Sequence, residues 1–235
     1  MAGQAARLGF TLAEVLITLG IIGVVVALTM PALIANHKKQ VIANQLKKSY
    51  STISQALTTS ISENGDFSEW GIKAQESAGV NYQEKLSTLV KKNIIPYLNV
   101  GKDCEYNKCQ NAQDVKDSNG TIQNWHSDHT LYQIYLVDGS RMIFFIDSYD
   151  DAATGIKYFL DLWVTVDVNG DAGPNEIGKD VFYMVFSSST QKINMFGARN
   201  PRYTLYDNCK NGNRRYCGAL IQSDGWQIAK DYPWL

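Results

Sequence analysis

Hydrophobic and polar positions divide this chain into two unlike parts. Residues 15–36 (VLITLGIIGVVVALTMPALIAN) carry no charge, whereas the remainder is polar and rich in Tyr, Asn, Asp and Ser. As a helix rising about 1.5 Å per residue, the uncharged run reaches about 33 Å, enough to cross a hydrocarbon core of about 30 Å. A secretory signal peptide would instead have an apolar region of about 7–15 residues, a small-x-small cleavage site after it and no acid near its start. This run is longer, and Glu14 stands at its mouth. Ile42, Leu46, Tyr50, Ile53, Leu57 and Ile61 then recur at helical spacing. The helix is therefore expected to continue into water as an amphipathic one, stopped by Asn64-Gly65. The result is one helix of about 50 residues, approximately 75 Å long.

Residues 65–82 read as a loop, and 82–93 as a shorter amphipathic helix that ends before Ile95-Pro96. A polar stretch follows over 101–130. From Leu131 the period changes to two: LYQIYLV, the turn Asp138-Gly139 and SRMIFFI predict a hairpin with a type I′ turn. YFLDLWVTVD (158–167) and VFYMVF (181–186) add two strands. The expected fold class is α+β, a long helix packed on an antiparallel sheet, followed by a disulfide-closed C-terminal segment.

Composition changes this picture in two respects. At 235 residues, 45% hydrophobic and a net charge of −1, the chain holds one packed domain plus an appendage. Lys and Arg do not exceed Asp and Glu, and Asn213-Arg214-Arg215 is only a short basic cluster, so nucleic acid is not an expected partner. The four cysteines form two close pairs in polar, turn-rich segments, which suits disulfides in an oxidising space. Three connectivities are possible; Cys104 with Cys109 and Cys209 with Cys217 close the shortest loops and are the expected pairs. A zinc site would need tighter ligand spacing. His126-x-x-His129 lies in a polar loop without a ligand cluster and reads as solvated. No G-x-S-x-G, H-E-x-x-H, phosphate loop or Cys/His nucleophile pattern occurs, so catalysis has no support in the sequence.

With Gly9, Phe10, Glu14 and the long helix in place, GFTLAEVLITLGIIGVVVALTMPALI resembles the prepilin family: type IV pilins and the pseudopilins of type II secretion. The resemblance is strong over residues 7–62 and weak beyond. It implies a nine-residue leader (1–9), cleavage by a prepilin peptidase between Gly9 and Phe10, and methylation of Phe10. It further implies a transmembrane half (10–36), an amphipathic half (37–62) and a pilin-like body (63–235). Pro31 falls where many members have a proline, and local melting of the helix there on assembly is an expectation. Thr11-x-x-Glu14 is also a capping-box pattern, a local reason for an acid at a helix start. Yet a charge within a membrane helix is costly, up to about 3 kcal/mol at mid-depth, and wants a positive partner. The resemblance supplies one, the Phe10 amine of a neighbouring subunit.

Partners implied by the resemblance are identical or homologous pilin subunits, an inner-membrane assembly platform, a cytoplasmic assembly ATPase, and membrane lipid before assembly. The implied location is the cytoplasmic membrane, single-pass, with the body outside the cytoplasm and in a periplasmic or surface filament after assembly. Lys38 and Lys39 after the span run against the positive-inside count, although long domains translocate largely regardless of charge. No cofactor is expected beyond one candidate. Asp167, Asn169, Asp171 and Asp180 resemble a pseudopilin loop that holds structural calcium, but the loop departs from an EF-hand at its sixth and twelfth positions. Asx-turns and glycines account for the same residues without metal. Trp226, Tyr232 and Trp234 are expected to cover the sheet. An adhesion or DNA-uptake pilin, or a membrane-anchored secreted enzyme, are the alternative functions.

Overall fold

The computed structural model describes residues 11–71, 82–106, 109, 114–117, 119–123, 131–151, 156–212 and 214–234, with backbone alone at 147–151 and 156–160. The chain falls into two units, Met1–Lys39 and Gln40–Leu235. Helix α1 (Leu12–Asn64) is a single element of 53 residues that runs from the first into the second. It ends where the sequence predicts: Gly65 takes φ +80°, donates its N–H to the Ile61 carbonyl, and lends its own carbonyl to the Trp70 indole.

In the first unit every described apolar side chain of α1 is exposed, Leu12 at 79% and Leu33 at 70% among them. This helix is long and apolar enough to cross a membrane. Pro31 lies inside it.

In the second unit α1 presents a different face. Ala43, Leu46, Ser49, Ile53, Ala56, Leu57 and Ser60 are buried, whereas Ile42, Tyr50 and Ile61 of the expected stripe are only partly so. The buried stripe is turned toward small residues, which let the helix backbone approach its neighbours closely. One cluster joins Leu46, Ile53 and Leu57 to Leu86 and Val90 of α2 (Tyr82–Asn93) and to Phe144, Val164 and Met184 of the sheet. Each such side chain, fully buried, contributes about 1.5–3 kcal/mol of transfer free energy.

The main sheet has six strands in the order β1 (Val100–Glu105), β4 (Tyr132–Leu136), β5 (Arg141–Asp151), β6 (Ile156–Asp167), β7 (Val181–Ser187) and β8 (Lys192–Met195). All its pairings are antiparallel. A two-stranded sheet, β2 (Val115–Lys116) and β3 (Ile122–Gln123), is separate in its strand pairing, and Val115 packs with Val181 and Tyr183 of β7. The α+β layout stands, with β1 and β8 added to the four predicted strands. The β4–β5 turn is corrected. Gly139 takes φ +88° while Asp138 does not have positive φ, and the Gly139 N–H reaches the Leu136 carbonyl as the Leu136 N–H reaches that of Ser140. That is a type I turn followed by a glycine bulge, not a type I′ turn.

Helices α3 (Arg202–Asn211) and α4 (Cys217–Ser223) follow, and the Cys209–Cys217 disulfide ties the end of one to the start of the other. Cys104 is bonded to Cys109 at β1. The C-terminal aromatics do not simply cover the sheet. Trp226 packs on Tyr50 of α1, with ring centroids 5.2 Å apart, whereas Trp234 donates to the Cys209 carbonyl at 2.7 Å and lies under the Arg214 guanidinium. Tyr232 is buried and donates to the Gly178 carbonyl.

Candidate functional site

Two places carry the sequence-predicted residues. The first is the start of α1. Gly9, Phe10 and the leader 1–9 lie outside the described residues; Thr11 and Glu14 lie within them. The Thr11 N–H donates to Glu14 Oε2 at 2.8 Å and the Thr11 hydroxyl to the same oxygen at 2.9 Å. The Glu14 N–H donates back to Thr11 Oγ1 at 3.3 Å. The capping box is therefore formed and gives the helix its start. It does not exhaust Glu14. Both bonds fall on Oε2, and Oε1 has no donor among the described residues. Further along, a Cβ built on Gly20 or Gly23 would meet nothing within 4 Å, so nothing among the described residues requires glycine there.

The second place is the loop from the end of β6 to the start of β7. The expected calcium ligands do not converge as a ligand set. Asp180 spends both oxygens on backbone, accepting the N–H of Asn175 at 2.9 Å and of Glu176 at 2.8 Å. Asp171 accepts the Tyr135 hydroxyl at 2.7 Å. Asp167 Oδ2 faces Arg141 Nη2 at 3.3 Å, and both side chains are fully buried. Asp167 Oδ1 and Asn169 Oδ1 are buried without a donor, two oxygens against the six to eight that calcium takes. Among the described residues no group of three or more His, Cys, Asp or Glu is placed to hold a metal ion. The four residues thus do not fit the calcium site expected of them, because the charge beside Asp167 is that of a guanidinium.

The loop is instead fixed by contacts within the protein. Gly170 takes φ +64°, and a Cβ there would stand 2.2 Å from the Gly139 carbonyl oxygen, so the loop abuts the β4–β5 turn too closely for any side chain. Gly178, at φ +84°, packs similarly against Cys217. The short basic cluster is also used internally. Arg214 pairs with Glu176 at 3.5 Å and stacks over Trp234, and Arg215 lies over the Tyr183 ring.

Residues 32–235 match a family of unknown function, DUF6613. The chain belongs to that family. No curated protein and no solved structure matches it. The family match begins just after Pro31, so it covers the body of this DUF6613 chain and leaves out residues 7–31 of the stretch 7–62 that resembles the prepilins.

Electrostatics at the DUF6613 loop follow from burial. Desolvation pushes the Asp167 carboxyl up to about 8, against the pull of Arg141 and with the added push of the Asp180 charge. Burial also raises Asp180, opposed by the N–H donors of Glu176 and Asn175. Tyr135 is raised by burial and by donating to Asp171. Sequence reading missed Arg141 and Tyr135. A signal existed: Arg141 is the one cation of β5 and stands directly before its apolar run 142–146, and the register places Tyr135, Arg141 and Asp167 directly opposite one another on β4, β5 and β6. His126 and His129 lie outside the described residues.

Proposed function

We propose that this chain is a non-enzymatic structural subunit of a type II secretion pseudopilus or type IV pilus-like filament, cleaved after Gly9, methylated at Phe10 and assembled through α1. The observation that carries this reading is Glu14: an exposed carboxylate at the mouth of an apolar helix, with one oxygen in the capping box and the other without a donor among the described residues. A carboxylate entering lipid with spare acceptor capacity favours a cationic partner. Cleavage would free one at Phe10 of a neighbouring subunit. Two further features support the reading. The apolar side chains of residues 12–34 are not covered by any of the described residues, and Gly20 and Gly23 leave room for close approach of a second helix. The body lies outside the cytoplasm, where its two disulfides persist. A prepilin peptidase matures the chain, and an inner-membrane platform with a cytoplasmic ATPase drives assembly.

Glu14→Ala tests this reading. The variant is expected to be cleaved and to remain in the membrane while filaments are lost, as read by shearing and electron microscopy beside membrane fractionation. Filaments at the wild-type level from Glu14→Ala would contradict it.

A further inference from the structure

Arg141 is among the largest side chains in the molecule with no solvent exposure, and it sits on the first residue of β5 opposite the last residue of β6. Its placement follows from sheet register. Tyr135, Arg141 and Asp167 form one row across three adjacent strands, and Lys102 of β1 extends that row over the Tyr135 ring, 5.9 Å from its centroid. The guanidinium reaches Asp167 at 3.3 Å, while the Tyr135 hydroxyl at its side holds Asp171 at 2.7 Å. One cation therefore governs, directly or through one hydroxyl, two of the acids that open the loop. The third, Asp180, is held differently, by two backbone N–H donors. The loop cannot swing away to admit another ion without breaking its contact with the β4–β5 turn, where Gly170 meets the Gly139 carbonyl.

A carboxylate with zero exposure is destabilising unless a positive charge is fixed beside it. A divalent ion can fill that role, and so can a planar, permanently charged guanidinium. The two exclude one another at this range, because like charges a few ångströms apart in a poorly solvated site repel strongly. We propose that Arg141 is the built-in cation of the Asp167–Asp180 loop: its guanidinium holds the position that a divalent ion would need, so the loop closes without calcium. The body would then keep its fold in calcium-poor and calcium-rich surroundings alike. The inference stands on the loop alone and does not depend on the filament assignment.

The test uses the full chain in detergent at pH 9, where the Asp167 carboxyl is ionised, and follows thermal unfolding with EGTA, with millimolar calcium and with neither. Wild type is expected to melt at the same temperature in all three. Arg141→Gln is expected to melt about 10 °C lower, since it strands the buried Asp167 charge. Adding Asp167→Asn to Arg141→Gln is expected to recover most of that loss, because the charge that Arg141 compensates is then gone. A wild-type melting temperature that falls with EGTA or rises with calcium would overturn the proposal. So would a double variant as impaired as Arg141→Gln alone, which would make Arg141 a packing residue. If Arg141→Gln fails to fold, the double variant and the wild-type chelation series still decide between these outcomes.

Discussion

Asp167 and Asp180 show what burial does to a carboxyl when its compensating partners are few. Both are fully buried and both are raised above the ordinary aspartate value, Asp167 to about 8. A carboxyl with a raised folded-state pKa binds more protons in the native state than in the unfolded one. Its contribution is therefore fully present below its unfolded value near 4 and lost as pH rises toward 8. Asp138 has the opposite sign: burial acts upward, but Lys48 at 2.7 Å and Ser140 outweigh it and hold the carboxyl low. Its contribution is lost only on acidification below about 4, outside the window that Asp167 governs. Urea unfolding of the full chain in detergent is expected to show stability falling from pH 5 to pH 8, with a shallower fall in Asp167→Asn. Equal slopes for the two proteins would show that Asp167 is not the titrating group. Sequence reading placed Asp167 among loop oxygens and saw neither its burial nor its partner. Arg141 stands 26 positions earlier, and only the pairing of β5 with β6 brings the two together.

Helix α1 carries two kinds of surface within one element. Its body portion buries a stripe containing Ser49, Ala56 and Ser60, which a hydrophobicity pattern passes over because serine counts as polar. The stripe centred on Leu46, Ile53 and Leu57 was legible, and its rotation toward small residues was not. Strands followed the same logic. β4 to β7 carry apolar runs and were readable, whereas β1 buries only Cys104 in a polar edge strand and β8 spans four residues. The hairpin was legible from Asp138-Gly139 as well, but its turn type depended on the φ of Asp138, which no sequence rule fixes. The apolar first half of α1 can be tested by substitution. Gly20→Leu has open space within the chain and gains about 1 kcal/mol in helix propensity. It should therefore leave membrane insertion and cleavage intact. Filament yield should fall, because a bulky side chain keeps neighbouring helices apart. Electron microscopy of cells expressing Gly20→Leu checks this, and normal filaments would remove Gly20 from the assembly contact.

Across the molecule, the two likenesses start at different places and overlap over residues 32–62. The DUF6613 match begins at residue 32 and takes in the body, with its six-stranded sheet and the C-terminal segment tied by Cys209–Cys217. The prepilin resemblance is strong over residues 7–62, and the candidate cut and the candidate contact acid lie in the part that the family match leaves out. A filament subunit needs both parts: a body that folds alone and an apolar helix that prefers other helices to lipid. The central claim is that one peptide bond, Gly9–Phe10, separates the stored form from the assembling form. N-terminal mass spectrometry of the protein purified from its native membrane tests this directly. The account predicts a chain that starts at N-methylated Phe10; an intact Met1, or a start near Asn36, would contradict it.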